Sequence, residues 1–234
     1  PWADGSDAVH IVPNSRNLPA EFSETRYPIL VEQLGLAIDS GGAGCRRGGL
    51  GYDKHIRALE GAKLLSNADR SMINCYGVNG GKAGGCYGIT VIGSDGEERS
   101  IPGMSDNQEI QPGSLIRIVT TGGGGWGDPL EREPELVCQD VQAGVVSEES
   151  ARNDYGVTLE KSGLHHSVDN AATTVARAAM RKERGRLPMF DRGPVYEELR
   201  REGRISQPPG WNDPDAGCFA SDPIDQLRNP QAAE

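Results

Sequence analysis

Four consecutive glycines in the stretch TTGGGGWGDP (residues 120–129) follow directly on an apolar run, SLIRIV. Glycine loses more conformational freedom on folding than any other residue, so such a run is either a flexible linker or a backbone path that side chains would obstruct. The flanks select the second reading. A linker carries serine and other polar neighbours, whereas here a β-branched strand leads in and Trp126, Asp128 and Pro129 follow at once. Two further clusters, DSGGAGCRRGGLG (39–51) and GVNGGKAGGCYG (77–88), contribute to a total of 32 glycines, about twice what an average usage of ~7% supplies. No fixed period links the three clusters, which excludes a collagen-like repeat and a solenoid.

Charge and cysteine usage narrow the function classes. Lys and Arg number 24 against 34 Asp and Glu, a formal net charge of −10. A surface of that sign repels nucleic acid and anionic membranes. No apolar run approaches the ~18 residues that would span a bilayer. Five cysteines, Cys45, Cys75, Cys86, Cys138 and Cys218, are odd in number and contain no C-x-x-C pair. That pattern argues against a disulfide framework or a zinc ribbon and fits a reducing cytoplasm. With 234 residues, 36% of them hydrophobic, the chain can bury one sizeable core or two small ones. It opens Pro-Trp-Ala-Asp without an initiator Met, and is expected to be a segment of a longer polypeptide.

The pattern along the chain predicts an α+β fold: a β-rich glycine-loop unit, then helices, then an extended tail. Residues 1–26, with Pro1, Pro13 and Pro19, form an extended leading arm. Residues 27–130 form the β-rich domain. Its first strand, within 27–39, alternates Leu34, Leu36 and Ile38 with Gly35 and Ala37, and further strands fall at 54–59, 87–93 and 114–121. Asp95-Gly96 marks a hairpin between two of them. Residues 131–185 are helical. Pro134 suits a first turn, Ser147 is an N-cap followed by Glu148 and Glu149, and a longer helix runs from Asp169 to Arg184. That helix carries Ala172, Val175, Ala176 and Ala179 on one face and a basic last turn before Gly185. Residues 186–234 form the extended tail, which is rich in Pro, Gly, Asp and Asn from Gln207 and either wraps a partner or is poorly ordered.

Candidate chemistry is sparse. The second glycine cluster misses the phosphate-loop spacing: Gly77 stands one position too late, and Ala83 replaces the magnesium-binding hydroxyl. In the first cluster, Asp39, Ser40 and the adjacent Arg46 and Arg47 flank open backbone, where a guanidinium can hold a carboxylate or phosphate through two bonds. A purely structural ion pair is the commoner outcome for such an arginine, and Asp69-Arg70 poses the same choice. His10, His55, His165 and His166 fit no metal-ligand spacing, and no G-x-S-x-G elbow occurs. Taken alone, the residues outline no self-contained active site.

Three motifs together resemble a known family. DSGGAGCRRGGLG, then ADR and YGVNGGKAG within 68–84, then VTTGGGGWGDPLEREPELVCQDVQAGVVSEESARNDYGV (119–157) are similar to the C-terminal portion of hydantoinase B proteins. The same family includes the corresponding half of 5-oxoprolinase and subunits of acetone and acetophenone carboxylases. With SRNLPAEFSETRYPILVE (15–32) the resemblance covers residues 15–157. It implies an ATP-dependent multisubunit enzyme, in which an actin-like A-type subunit phosphorylates an amide or enolate oxygen. The B-type subunit then hydrolyses a lactam ring or carboxylates a ketone. The resemblance places ATP and a divalent metal outside this segment. It implies as partners an actin-like hydantoinase A-type subunit, the remainder of the B-type subunit and a small-molecule substrate. Asp39, Ser40, Arg46, Asp69 and Arg70 are the candidates for orienting an anionic intermediate. Gly122, Gly123, Gly124, Gly125, Trp126, Gly127 and Asp128 form the structural loop. A non-catalytic assembly module within such a complex is the alternative of a different class.

Overall fold

The computed structural model describes residues 2–9 and 17–205. A short helix α1 (Ala20–Arg26) precedes eight strands: β1 (Ile29–Leu36), β2 (Tyr52–Ala58), β3 (Ala62–Asn67), β4 (Gly77–Val78), β5 (Gly88–Ile92), β6 (Glu98–Ile101), β7 (Met104–Ile110) and β8 (Leu115–Val119). Helices α2 (Pro134–Gln142) and α3 (Glu148–Asn153) follow, then the hairpin β9 (Leu159–Ser162) and β10 (His165–Val168). Helix α4 (Asn170–Arg184), strand β11 (Phe190–Asp191) and helix α5 (Pro194–Arg201) complete the described chain. Antiparallel sheets followed by segregated helices are the α+β class expected from the sequence. The described residues up to Glu197 belong to one compact unit and residues 198–205 to a second, and every site described below lies in the first. Among the described residues no helix is long and apolar enough to cross a membrane.

The main sheet has the order β1-β2-β8-β5-β6, antiparallel throughout. Asp95 and Gly96 turn β5 into β6, with Gly96 at φ +86°. One face of the sheet buries Ala58, Ile89, Val91, Ile101 and Ile116 together with Ile110 of β7, and Leu64 of β3 packs against this cluster. The paired β3–β7 ribbon thus closes the first core. A second core gathers Val137, Val141, Val146, Ala151, Tyr155 and Val157 from the helical region, with Ala43 from the first glycine cluster. The helix starts are those the sequence marks. Pro134 occupies the first turn of α2, the Ser147 hydroxyl accepts from Ser150 N at 3.0 Å, and Asp169 caps α4 by accepting from Ala172 N at 2.9 Å.

The structure adds to the sequence reading at three points. The alternating Leu34, Leu36 and Ile38 are exposed. β1 is an edge strand, and its register sets Leu34 and Leu36 against Lys54 and Tyr52, outside the apolar cluster. On α4 the buried positions are Thr173 and Arg177, while Val175 is 71% exposed. Arginines turn this face inward: Arg177 donates to the carbonyls of Tyr155 (3.0 Å) and Arg132 (2.7 Å), and Arg181 to that of Leu130 (2.9 Å). The terminal regions are less extended than predicted. The leading arm contains α1, and the tail contains β11, paired with β4, and α5. His10, Cys218 and the tail from residue 206 onward lie outside the described residues.

Candidate functional site

The three glycine clusters meet as closely stacked extended backbones between the two cores. Gly42 N donates to Gly123 O (2.8 Å), Gly123 N to Gly49 O (2.8 Å), Gly125 N to Lys82 O (2.9 Å) and Lys82 N to Ala43 O (2.7 Å). Gly85 N donates to Ser40 O (2.6 Å), so all three clusters share one hydrogen-bonded junction. A Cβ on Gly122 would stand 1.7 Å from Ser40 O, and one on Gly125 would stand 2.2 Å from Ala43 O. Of residues 122–127 only Gly127 has positive φ, at +74°. The run therefore serves close backbone approach and not left-handed geometry. Trp126 locks the far side, exchanging two 2.9 Å backbone hydrogen bonds with Arg46.

Asp128 ends the loop as the N-cap of the 3-10 turn Pro129–Glu131, accepting from Leu130 N at 2.8 Å and pairing with Arg184 of α4. Burial pushes its carboxyl up, but the bonds from Arg184 and Leu130 N outweigh burial and hold it below the usual aspartate range. A depressed folded pKa gives stability that is present above the unfolded value and lost as pH falls through the folded one. Asp128→Ala is accordingly expected to cost about 1–2 kcal/mol at pH 7 and less at pH 3, measured by urea unfolding at both pH values.

The structure separates the five candidate polar residues into three places. Asp39 and Ser40 line a cavity of about 330 Å³ together with Asp53 and Arg117. Arg46 lines another, of about 440 Å³, with Cys75, Gly122, Gly124 and Trp126. Asp69 and Arg70 sit in an exposed 3-10 turn, Asp69–Ser71, and line neither cavity. Asp39 adopts φ +60° and its Oδ1 accepts from Ser147 N at 2.8 Å. The buried Ser40 hydroxyl donates to Ala37 O (2.6 Å) and accepts from Gly51 N (3.0 Å).

Several charged residues outside the candidate set shape the site. Asp53 takes two bonds from Arg117 (3.0 and 2.8 Å) and stands 3.1 Å from His55 Nε2. The Arg117 bonds hold its carboxyl below the ordinary range against the smaller effect of burial. The alternation Asp53, His55, Arg57 in β2 is the sequence signal for this polar sheet face. On the other side of the junction Arg132, 1% exposed, donates to Asp4 (2.7 and 2.8 Å) and to Asp140 (2.7 Å). Arg47 pairs with Asp7 at 2.9 Å. These pairs pin residues 2–9 against the glycine loops, where Gly5 N donates to Arg47 O at 2.8 Å.

Neither a metal nor a nucleotide phosphate fits these residues. Among the described residues no three His, Cys, Asp or Glu side chains stand together to hold a metal ion. The N–H groups of Gly42, Gly123 and Gly125, which a phosphate cradle would need, already donate to carbonyls of the junction.

Residues 1–129 match the family model described as Hydantoinase B/oxoprolinase. The putative D-/L-hydantoinase B protein of a Pseudomonas species is 34% identical over 161 residues, 68% of this chain and 27% of that protein. The crystal structure of an ATP-dependent caprolactamase from Pseudomonas jessenii is similar at a TM-score of 0.53 and 30% identity, over 68% of this chain and 28% of that one. A nucleotide-free acetone carboxylase structure gives a TM-score of 0.62 at 23% identity, covering 86% of this chain and 31% of that one, a likeness of fold alone. The chain spans 27% and 28% of the length of the first two of these relatives.

Proposed function

The chain belongs to the hydantoinase B/oxoprolinase family, and from that premise we propose that it forms the C-terminal part of a B-type subunit in an ATP-dependent cyclic-amide hydrolase. An amide resists water because resonance shares the nitrogen lone pair with the carbonyl. Phosphorylating the amide oxygen removes that resonance and leaves a carbon that water attacks readily. In this reading an A-type partner takes up ATP and makes the phosphate ester, the rest of the B-type subunit holds the divalent metal, and this chain walls the chamber. ATP and the metal supply phosphoryl transfer and activation of water elsewhere in the complex. The residues of this chain shape and exclude solvent from a rigid surface around the glycine junction.

The observation that carries the reading is that a hydantoinase B protein is 34% identical over 68% of this chain, whereas an acetone carboxylase alpha subunit is 28% identical and an acetophenone carboxylase delta subunit, also at 34%, matches only 47% of it. A ketone carboxylase component is the second reading, supported by the 28% identity to an acetone carboxylase alpha subunit over 70% of this chain. The test is reassembly of the chain with an A-type partner and the remainder of a B-type subunit, followed by ATP hydrolysis. Stimulation by ε-caprolactam, hydantoin or 5-oxoproline is the expected result. Stimulation only by acetone with bicarbonate selects the carboxylase, and full lactam-dependent activity without this chain overturns both.

A further inference from the structure

β1 is an edge of the main sheet, and only part of that edge is closed. An edge strand offers unpaired N–H and C=O groups to any other strand, and folded proteins blunt such edges with charge, proline, a bulge or a covering element. Over the first half of β1 that is done: Glu24 of α1 accepts from Val31 N at 2.8 Å, and the register with β2 shifts between Val31 and Gln33. At the far end Asp39 is held to the helical region, its N–H donating to Val145 O and its carboxylate accepting from Ser147 N. Between these closures residues 33–38 carry neither charge nor proline.

The direction of the edge groups follows from the neighbouring bonds. Ala37 N donates to Gly51 O at 2.8 Å, and bonded pairs recur at every second residue of an antiparallel ladder, so Gly35 and Gln33 are the residues tied to Asp53 and His55. Tyr52, opposite Leu36, turns its backbone to the other side. Its N–H donates to Thr120 Oγ1 at 2.7 Å and its carbonyl accepts from Thr120 N at 2.8 Å. The N–H and C=O groups of Leu34 and Leu36 therefore point away from β2, and neither N–H meets another acceptor among the described residues. Their side chains are exposed as well. Opposed residues share a face, so Leu34 stands in one row with Lys54, Ile118, Ile89 and Ile101. That is the core-bearing face, yet no residue of β1 belongs to the cluster that the β3–β7 ribbon closes, and Leu34 remains 52% exposed. The apolar face is unfinished at this edge.

We propose that residues 33–37 receive an extended strand from the remainder of the B-type subunit, which continues the main sheet past β1. The inference rests on the B-type reading and gives that assembly a contact surface on this chain. The main chain of the added strand bonds to Leu34 and Leu36, and its alternate, apolar side chains cover the two leucines. Size and charge choose this occupant over a second copy. Free molecules that associate stably bury about 1,200–2,000 Å², which so short an edge does not reach by itself, and copies of formal charge −10 repel each other. A strand from a subunit that also docks elsewhere meets the edge at a raised effective concentration. The segment matching this chain is 27% and 28% of the hydantoinase B and caprolactamase relatives, so most of each lies outside it.

The test co-expresses the chain with the remainder of a B-type subunit and measures deuterium uptake by mass spectrometry and the dissociation constant of the pair. Residues 33–37 are expected to exchange at least about tenfold more slowly in the assembly than in the free chain, a factor of the size one hydrogen bond supplies. Leu34→Pro removes an outward N–H, an arrangement in which a strand tolerates proline. β1 then stays paired with β2, and the dissociation constant is expected to rise about tenfold or more. Leu34→Lys, which sets a charge on the open edge, gives the same reading where the proline variant does not fold. Unchanged exchange of residues 33–37, or equally tight assembly of the variants, overturns the proposal and leaves the proposed function standing. Failure of the unaltered chain to assemble overturns both. A dimer of the chain alone that Leu34→Pro dissolves assigns the edge to a second copy and overturns the proposal.

Discussion

Alanine in place of Gly122 is expected to unfold the chain at temperatures where the unaltered protein is stable. The added Cβ would lie 1.7 Å from Ser40 O and 2.2 Å from the Ser40 carbonyl carbon. Neither atom is the free end of a flexible side chain. Ser40 O is held by Gly85 N at 2.6 Å, and the Ser40 hydroxyl is held by Ala37 O and Gly51 N, so retreat breaks hydrogen bonds on both sides of the residue. Overpacking a well-packed site costs about 1–3 kcal/mol and sometimes more. A backbone–backbone overlap of this depth belongs at or above the top of that range, in a domain whose whole stability is about 5–15 kcal/mol. Gly124→Ala, with its Cβ 1.9 Å from Tyr76 O, belongs to the same class. Gly35→Ala is the control, because its Cβ meets open space. There alanine is expected to be neutral or to stabilise by about 0.5–1 kcal/mol. Thermal unfolding followed by circular dichroism separates them, with a drop of about 10 °C or more for Gly122→Ala and none for Gly35→Ala. Equal melting of all three proteins would mean that the glycine clusters do not stack as described.

The contrast between those glycines shows where sequence reading succeeds and where it stops. That GGGGWG forms a shaped loop follows from its flanks. The carbonyls that shape it belong to Ser40 and Ala43, in another cluster far along the chain, and nothing local to residue 122 names them. Helix starts are local events, so Pro134, Ser147 and Asp169 are legible from cap chemistry. The inward face of α4 is not, because periodicity gives weight to Val175 and the alanines while the face is set by arginines reaching carbonyls of a distant loop. β1 shows a related limit. Its alternation is real, but an edge strand can carry an apolar side beyond the reach of the core. The polar sheet face is legible in principle, since Asp53, His55 and Arg57 alternate along β2 and Arg117 interrupts the apolar alternation of β8. The candidates Asp39 and Ser40 share one cavity, whereas Arg46, Asp69 and Arg70 lie elsewhere. Adjacency in sequence says little about which side of a tight backbone crossing a side chain takes.

Arg132 gives the second large expected effect, and its pH dependence identifies the cause. In the sequence it is one charge among several in LEREPEL, with the look of a solvated surface. In the structure it is 1% exposed and is shared between Asp4 of the leading arm and Asp140 of α2. Arg132→Met keeps much of the volume and removes the charge. Breaking a buried ion pair from one side costs about 3–5 kcal/mol, because the remaining carboxylates stay buried without their partner. Burial pushes the Asp4 carboxyl up, but Arg132 outweighs burial and leaves it below its ordinary value. At Asp140 burial dominates and the carboxyl stays above its ordinary value despite Arg132 and Arg47. Asp4 therefore contributes stability at neutral pH that is lost as pH falls through its folded value. Asp140 costs stability as pH rises from its unfolded value through its folded one. In the variant both carboxyls lose the guanidinium and both folded values rise, so protonation relieves the penalty. The stability gap between the two proteins is expected to be widest at pH 7 and to narrow toward pH 4, near the ordinary aspartate value of about 3.9. Urea unfolding at the two pH values measures it. A gap that stays constant assigns the loss to packing, and the pinning of residues 2–9 to the glycine junction would then rest on backbone bonds such as Gly5 N to Arg47 O and not on the charges.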